Sequence, residues 1–323
     1  MRYIRIPRTD LRPSVVCLGG VIQREPSPLV GCYDEFVERG GNCFDTANVY
    51  GKADCGFNAN ERLLGRWLGQ KPPSFRDGVI LCTKGGHPEP GQPFDRPRLS
   101  RAEIESDLEE SLRGLGVDTI DLYWLHRDDP ERPVEEILTY LNEFAAQGKI
   151  RFFGASNWKT ARLRQAEEYA RARGIQGFVA NQPQWSYARA NQQALDKVRL
   201  VAMDKDAFRF HQETGKAVLP FSPNARGYFQ KLAAGLPLTQ LAAERYENPG
   251  NRTRAETLKA VAAERGCTVQ QAALAFLLHQ PFPVVPILGF SSIPQLIEGM
   301  GAVDVALDSA TLGRMRGGTS TLF

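Results

Sequence analysis

The sequence predicts the α/β class: an eight-stranded parallel (β/α)8 TIM barrel with an N-terminal hairpin and long loops at its C-terminal face. Short apolar runs bounded by turn residues alternate with longer segments of helical period, the pattern of repeated βα units. Eight such runs can be counted, which favours a closed barrel over an open sheet. The 323 residues contain no linker, so 1–323 reads as one domain whose extra length lies in excursions from a minimal barrel.

Strands are expected at 15–18, 42–44, 79–83, 120–125, 150–154, 178–180, 218–221 and 284–287. Between them, Ser27-Pro28 pairs an N-cap with Pro at the first helical position, and Ser100-x-x-Glu103, Thr253-x-x-Glu256 and Thr268-x-x-Gln271 are capping-box patterns. Ile104, Leu108, Leu112 and Leu115 share one helical face, as do Val134, Ile137, Leu138, Leu141, Phe144 and Ala145. The charges of 159–173 surround the stripe Leu163, Ala166 and Ala170, so they read as a solvated helix face rather than a binding patch. Two stretches exceed a minimal barrel: 187–215, with a helix expected over 196–213, and 224–252, rich in Gly, Pro, Asn and Arg. Long excursions after barrel strands are where lids and ligand loops are built. The first dozen residues are expected to form a hairpin closing the opposite end.

Composition narrows the partners. With 40 Lys and Arg against 37 Asp and Glu, a net charge of +3 and no basic block, nothing calls for nucleic acid or an anionic membrane. The six cysteines form no C-x-x-C pair and have no His at ligand spacing, so reduced thiols are expected, with neither disulfide nor metal. The N-terminal residues alternate charged with apolar side chains and lack the apolar core of a secretory signal. The uncharged stretch 268–297 is broken by Pro281, Pro283, Pro286 and Pro294, which suits a buried helix and strand rather than a membrane span. A cytoplasmic protein is expected.

Chemistry concentrates after three consecutive strands. The second is followed by Asp45 and Tyr50, the third ends at Lys84 and the fourth at His126, Arg127 and Asp128; a parallel barrel delivers all of these to one rim. Separately they read as an ion pair, a loop aromatic and a core imidazole. Together they suit proton donation to a carbonyl oxygen. A phenol of ordinary pKa about 10 is a weak acid at neutral pH, but a cation about 4 Å away is worth roughly 4 kcal/mol at an effective dielectric near 20. An Asp holds that cation in place, and a neutral His orients the carbonyl. No nucleophile, metal cage or carboxylate pair accompanies them, so hydride chemistry with a borrowed cofactor completes the set. Later strand ends offer Ser156-Asn157, Gln182, Phe221-Ser222-Pro223 and 286–292, whose amides, hydroxyls and aromatic ring suit a flat carboxamide-bearing ring. Ser292-x-x-Gln295 opens a last helix whose N-terminus suits phosphate. No G-x-G-x-x-G follows a strand, so a Rossmann site is not expected.

This ordered series resembles the aldo-keto reductases along almost the whole chain. The resemblance is carried by Asp45 to Tyr50, Asn60-Glu61, Gly65, Lys84, His126, Ser156-Asn157, Gln182, Phe221-Ser222-Pro223, the run Gln271-Ala272-Ala273-Leu274-Ala275 and the closing segment 286–298. It implies reduction of an aldehyde or ketone, or the reverse, with a catalytic tetrad of Asp45, Tyr50, Lys84 and His126, Tyr50 being the general acid/base. It implies NADP(H) more than NAD(H), held by Gly20, Val21, Ser156, Asn157, Gln182, Phe221, Ser222, Pro223, Asn224, Ala225, Gly289, Ser291, Gln295 and Glu298. The closing segment departs from the family in lacking the Arg or Lys that commonly meets the 2′-phosphate. Arg226, Lys231, Arg252 or Arg254 of the long loop could replace it. Ile22, Phe57, His87, Arg127, Asp128 and Trp158 are expected at the mouth, a mixture suiting a sugar or other polyhydroxy carbonyl. Two other readings stay open: a cofactor-binding regulatory barrel with little turnover, and a Schiff-base aldolase using Lys84.

Overall fold

Eight parallel strands alternate with helices in a computed structural model that describes residues 1–20 and 30–317. The strands are β1 (Cys17–Gly19), β2 (Cys43–Asp45), β3 (Ile80–Gly85), β4 (Ile120–Leu125), β5 (Ile150–Ser156), β6 (Ala180–Gln182), β7 (Ala217–Val218) and β8 (Ile287–Gly289). Each of β1 to β6 pairs with the next strand, and β8 pairs with β1. The seam between β7 and β8 is closed just before β8, by Val218 N to Pro283 O, Val285 N to Val218 O and Ile287 N to Pro220 O, each 2.9 Å. Prolines 283 and 286 have no N–H to give the ladder, which is why regular pairing of β8 begins later than the 284–287 expected. Pro183 likewise follows the end of β6, which lies at 180–182 rather than 178–180.

The barrel interior is filled by Cys17, Cys43, Ile80, Cys82, Leu122, Trp124, Leu219, Val285 and Ile287, alternate residues that point inward from their strands. Ile6 and Leu11 of the N-terminal hairpin join this cluster and plug its lower end. That hairpin is held by Ile4 N to Pro13 O and Ile6 N to Leu11 O, both 3.0 Å. The opposite faces of the strands pack against the helices in two further clusters. The stripes expected on helices Arg101–Leu115 and Val134–Ala146 are buried apart from Ala145, which is half-buried, and Leu163, Ala166 and Ala170 are the buried side of Thr160–Arg173. The boxes at Ser100 and Thr268 form with both reciprocal bonds.

Other local expectations are corrected. Thr253 starts no helix: helix Pro249–Arg265 is capped by Asn248, which accepts from Asn251 N at 2.9 Å, and Thr253 lies within it. The helix expected over 196–213 is two, Gln192–Asp196 and Lys205–Thr214. Between them the chain is drawn against Gln184, through Gln184 N to Val201 O at 2.9 Å and Met203 N to Gln184 O at 2.8 Å, before Asp204 caps the second helix. The excursion 224–252 is also largely helical, with Tyr228–Ala233 and Gln240–Tyr246. The cap at Ser27-Pro28 falls outside the described residues. All six cysteines are free thiols. No helix among the described residues is long and apolar enough to cross a membrane.

His211, fully buried on helix Lys205–Thr214, bonds the Lys216 carbonyl through Nδ1 at 3.0 Å and Asn181 Nδ2 through Nε2 at 3.3 Å. Burial pushes its pKa down to about 4, against the pull of the Lys216 carbonyl. Between that value and about 6.5 the unfolded chain binds a proton that the folded chain refuses, so stability falls as pH falls through this window. From pH 7 to pH 5 the group should cost about 2 kcal/mol. Urea unfolding of the protein and of His211→Gln at both pH values should show the variant losing less by that amount. The comparison cancels Glu61, whose carboxyl is pushed up to about 7 by burial and acts in the opposite sense.

Candidate active site

The C-terminal ends of β2, β3 and β4 bring Asp45, Lys84 and His126 together. Lys84 Nζ donates to Asp45 Oδ2, and to the Thr46 carbonyl at 2.7 Å. Asp45 Oδ1 accepts from Gln182 Nε2 of β6 at 3.0 Å. Asp45, Lys84 and Gln182 are all buried. Burial opposes the Lys84 ammonium, but Asp45, with Tyr50 adding to it, holds its pKa above the ordinary lysine value. Tyr50 stands over this pair, with Nζ 5.2 Å from the centre of its ring. The 46–51 segment reaches that position through backbone bonds from Thr46 N to Cys82 O and Asn48 N to Lys84 O, both 2.9 Å. Gly51 turns the chain at φ 91°, and a Cβ there would come within 2.7 Å of Ala59 Cβ.

His126 meets the edge of Tyr50, ring centres 5.8 Å apart, and lies 4.7 Å from the His87 ring. Its Nδ1 is buried without a partner among the described residues. Burial, with His87, Lys84 and Arg127 adding to it, holds its pKa well below 6.5; His87 is pushed down to about 4 by burial and Arg127. Ser156 Oγ donates to the Gln182 carbonyl at 2.8 Å. Asn157, at φ 60°, ties Ser156, His126 and Val201 together through its amide.

A cleft of about 1040 Å³ opens over these groups. Of the residues expected in the sequence, Gly20, Asp45, Tyr50, His87, His126, Arg127, Ser156, Asn157, Gln182, Phe221, Ser222, Pro223, Asn224, Gly289, Ser291, Gln295 and Glu298 line it. Lys84 and Ala225 are buried outside the lining. Trp158 is not at the mouth: it packs on Phe178, ring centres 5.0 Å apart, and its Nε1 donates to the Arg127 carbonyl. Phe57 lies outside the cleft under Arg62, and Asp128 is held by Arg162. Val21 and Ile22 fall outside the described residues. Phe94, Val198, Leu200, Arg245 and Gln270 also line the cleft. No local signal marks them, because long connections fold back to bring them in. Of the four loop cations, Arg226 and Lys231 reach the cleft, whereas Arg252 pairs with Glu247 and Arg254 with Asn251 Oδ1. Ser222, Ala225 and Arg226 sit at φ 53°, 47° and 54°, left-handed positions that cost about 1–3 kcal/mol each and cluster at functional sites.

The sequence profile described as "Aldo/keto reductase family" matches residues 25–317. The chain belongs to the aldo/keto reductase family. It is therefore a carbonyl oxidoreductase of a family that uses nicotinamide cofactors. Among its relatives, an uncharacterized oxidoreductase of Bacillus subtilis (strain 168), YrpG, is 30% identical over 97% of this chain and 94% of its own length. A probable aldo-keto reductase 1 of Glycine max is 30% identical over 85% of this chain and 74% of its own. The fold matches the crystal structure of a thermostable aldo-keto reductase in complex with the inhibitor epalrestat, with TM-score 0.72 and 23% identity, covering 99% of this chain and 100% of that one. The (β/α)8 barrel of the family is thus the fold found here.

A neutral His126 in this reductase site should give no imidazole titration near pH 6.5. Ring nitrogen chemical shifts followed from pH 8 to pH 5 should show His126 and His87 unprotonated throughout; an ordinary curve for His126 would contradict the burial and cation field described here.

Proposed function

We propose that the protein reduces an aldehyde or ketone to the alcohol, or runs the reverse reaction, with Tyr50 as general acid/base. The observation that carries this reading is the Tyr50 phenol standing over the buried Lys84–Asp45 pair with a neutral His126 at its edge. The ammonium favours the phenolate that remains after proton transfer, and Asp45 keeps it charged and aimed. His126 orients the carbonyl oxygen toward the phenol as a neutral hydrogen-bonding partner. The Asp45 pairing also makes Lys84 a poor nucleophile, which disfavours the aldolase reading.

The cofactor proposed is NADP(H) rather than NAD(H). When bound, it supplies the hydride. The cleft suits it: Phe221 offers a ring face, Ser156, Asn157 and Gln182 offer polar groups beside it, and Asn224 Oδ1 is a buried acceptor without a partner among the described residues. Gly20 and Gly289 line the cleft without side chains, Pro223, Ala225 and Ser291 belong to turns that would flank the phosphates, and Gln295 and Glu298 to the helix Ile293–Met300 beside them. Arg226 and Lys231 line the same stretch without an ion-pair partner among the described residues, and they replace the cation missing from the closing segment. Of the mouth residues expected from the sequence, His87 and Arg127 line the cleft and give it polar character.

Tyr50→Phe should lower kcat by about 10²–10⁴-fold, the usual share of general acid catalysis, with cofactor affinity nearly unchanged. Wild-type turnover in that variant would remove Tyr50 from the role. Lys231→Gln combined with Arg226→Gln should weaken NADPH by about tenfold or more, a charge-assisted hydrogen bond being worth at least 1.4 kcal/mol, and NADH by less. Equal losses for the two cofactors, read by fluorescence titration, would assign these cations to the shared diphosphate instead.

A further inference from the structure

We propose that the carbonyl substrate carries a carboxylate, received by Arg127 beside the reaction centre with Arg245 supporting it. The proposal rests on the reductase reading and names its substrate class. Arg127 follows His126 at the end of β4 and lines the cleft. Among the described residues its Nε and Nη1 are buried without a partner, and Nη2 contacts the His87 ring nitrogen at 3.4 Å. A neutral imidazole provides a lone pair but no counter-charge. No carboxylate among the described residues pairs with Arg127: Asp128 is turned to Arg162 and Asp129 to Arg132. An unpaired guanidinium taken out of water is unfavourable unless something in the functional state neutralises it. Burial brings this one down to about 10, Tyr50 pulling against that and Arg245 adding to it.

The rest of the cleft sharpens the point. Arg226 and Arg245 line it with no ion-pair partner among the described residues. Its own carboxylates are Asp45, neutralised by Lys84, and Glu298 at the closing-helix end. The wall near Tyr50 and His126 is therefore cationic. An uncharged sugar leaves that charge unmatched, whereas a carboxylate matches the guanidinium in both charge and fork geometry. Arg127 contacts His87, whose ring lies 4.7 Å from His126, so the anion sits only a few bonds from the carbonyl. A 2-oxo acid or a short semialdehyde has that spacing. The carbonyl carbon gains the hydride and its oxygen the Tyr50 proton, while the carboxylate leaves unchanged.

The test compares kcat/KM with NADPH for succinate semialdehyde and for its methyl ester, and titrates the NADP⁺-loaded protein calorimetrically with butanoate and with butanamide. The wild type should prefer the acid over the ester by about tenfold or more, the scale of one charge-assisted hydrogen bond. Arg127→Gln should collapse that ratio and abolish butanoate binding, Arg127→Lys should recover part of both, and Arg245→Gln should lower the ratio severalfold. An acid-to-ester ratio that Arg127→Gln leaves unchanged, or equal butanoate binding in the wild type and that variant, overturns the proposal. So does a loss of NADPH affinity in Arg127→Gln as large as the loss for the acid, which would assign the guanidinium to a cofactor phosphate. If neither the acid nor the ester is reduced, the reductase reading fails, and the butanoate titration still decides the role of Arg127.

Discussion

The ion pair between Lys84 and Asp45 is the interaction around which the site is arranged. Both groups lie inside the barrel wall where water cannot solvate them, so neither tolerates loss of the other; removing one member of such a pair typically costs about 3–5 kcal/mol. Asp45 also accepts from Gln182 on β6, and Lys84 donates to the Thr46 carbonyl that begins the loop to Tyr50. One charge pair thereby ties β2 and β3 to β6 across the barrel and sets the ground on which the phenol stands.

Strand direction does the rest of the assembly. Because every strand of a parallel barrel runs the same way, the residue that ends each one arrives at the same rim, and loops of very different length begin side by side. The lower end can then be sealed for stability alone, which Ile6 and Leu11 of the hairpin do. The upper end is braced by polar bonds between loops rather than by apolar packing. Asn60 Nδ2 bonds the Gly20 carbonyl and Thr46 Oγ1, both at 3.0 Å, and Asn157 links the ends of β4 and β5 to Val201. Polar bracing keeps a floor rigid without filling the space above it.

Charge around that floor is uneven. The barrel interior neutralises its own ions, Lys84 against Asp45, whereas the cleft above it leaves several cations without carboxylate partners. Arg127, Arg226, Lys231 and Arg245 have no ion-pair partner among the described residues, and all four line this cleft. Their concentration over the site gives the cleft a field that favours anionic ligands.

The eight-strand count, the capping boxes at Ser100 and Thr268, and the order Asp45, Tyr50, Lys84, His126 were legible in the chain, because period, caps and strand ends are local properties. Strand limits near Pro183 and Pro286 were not, since they depend on which neighbour each N–H finds. Thr253 carried a capping pattern as good as the real ones and lost to Asn248, whose side chain stands one turn earlier, so that only the folded loop chose between them. Trp158 read as a mouth residue because it follows Ser156-Asn157, yet packing against Phe178 turns it into the core. Arg245 and Leu200 lay within the two excursions read as ligand loops but carried no individual signal: their place in the cleft results from long connections folding back over the rim. Sequence alone determined the barrel and which polar groups meet at its C-terminal rim, both of which follow from residue order along successive strands. Tertiary structure decided which charges remain unpaired and where they face, because pairing depends on distances between segments far apart in the chain.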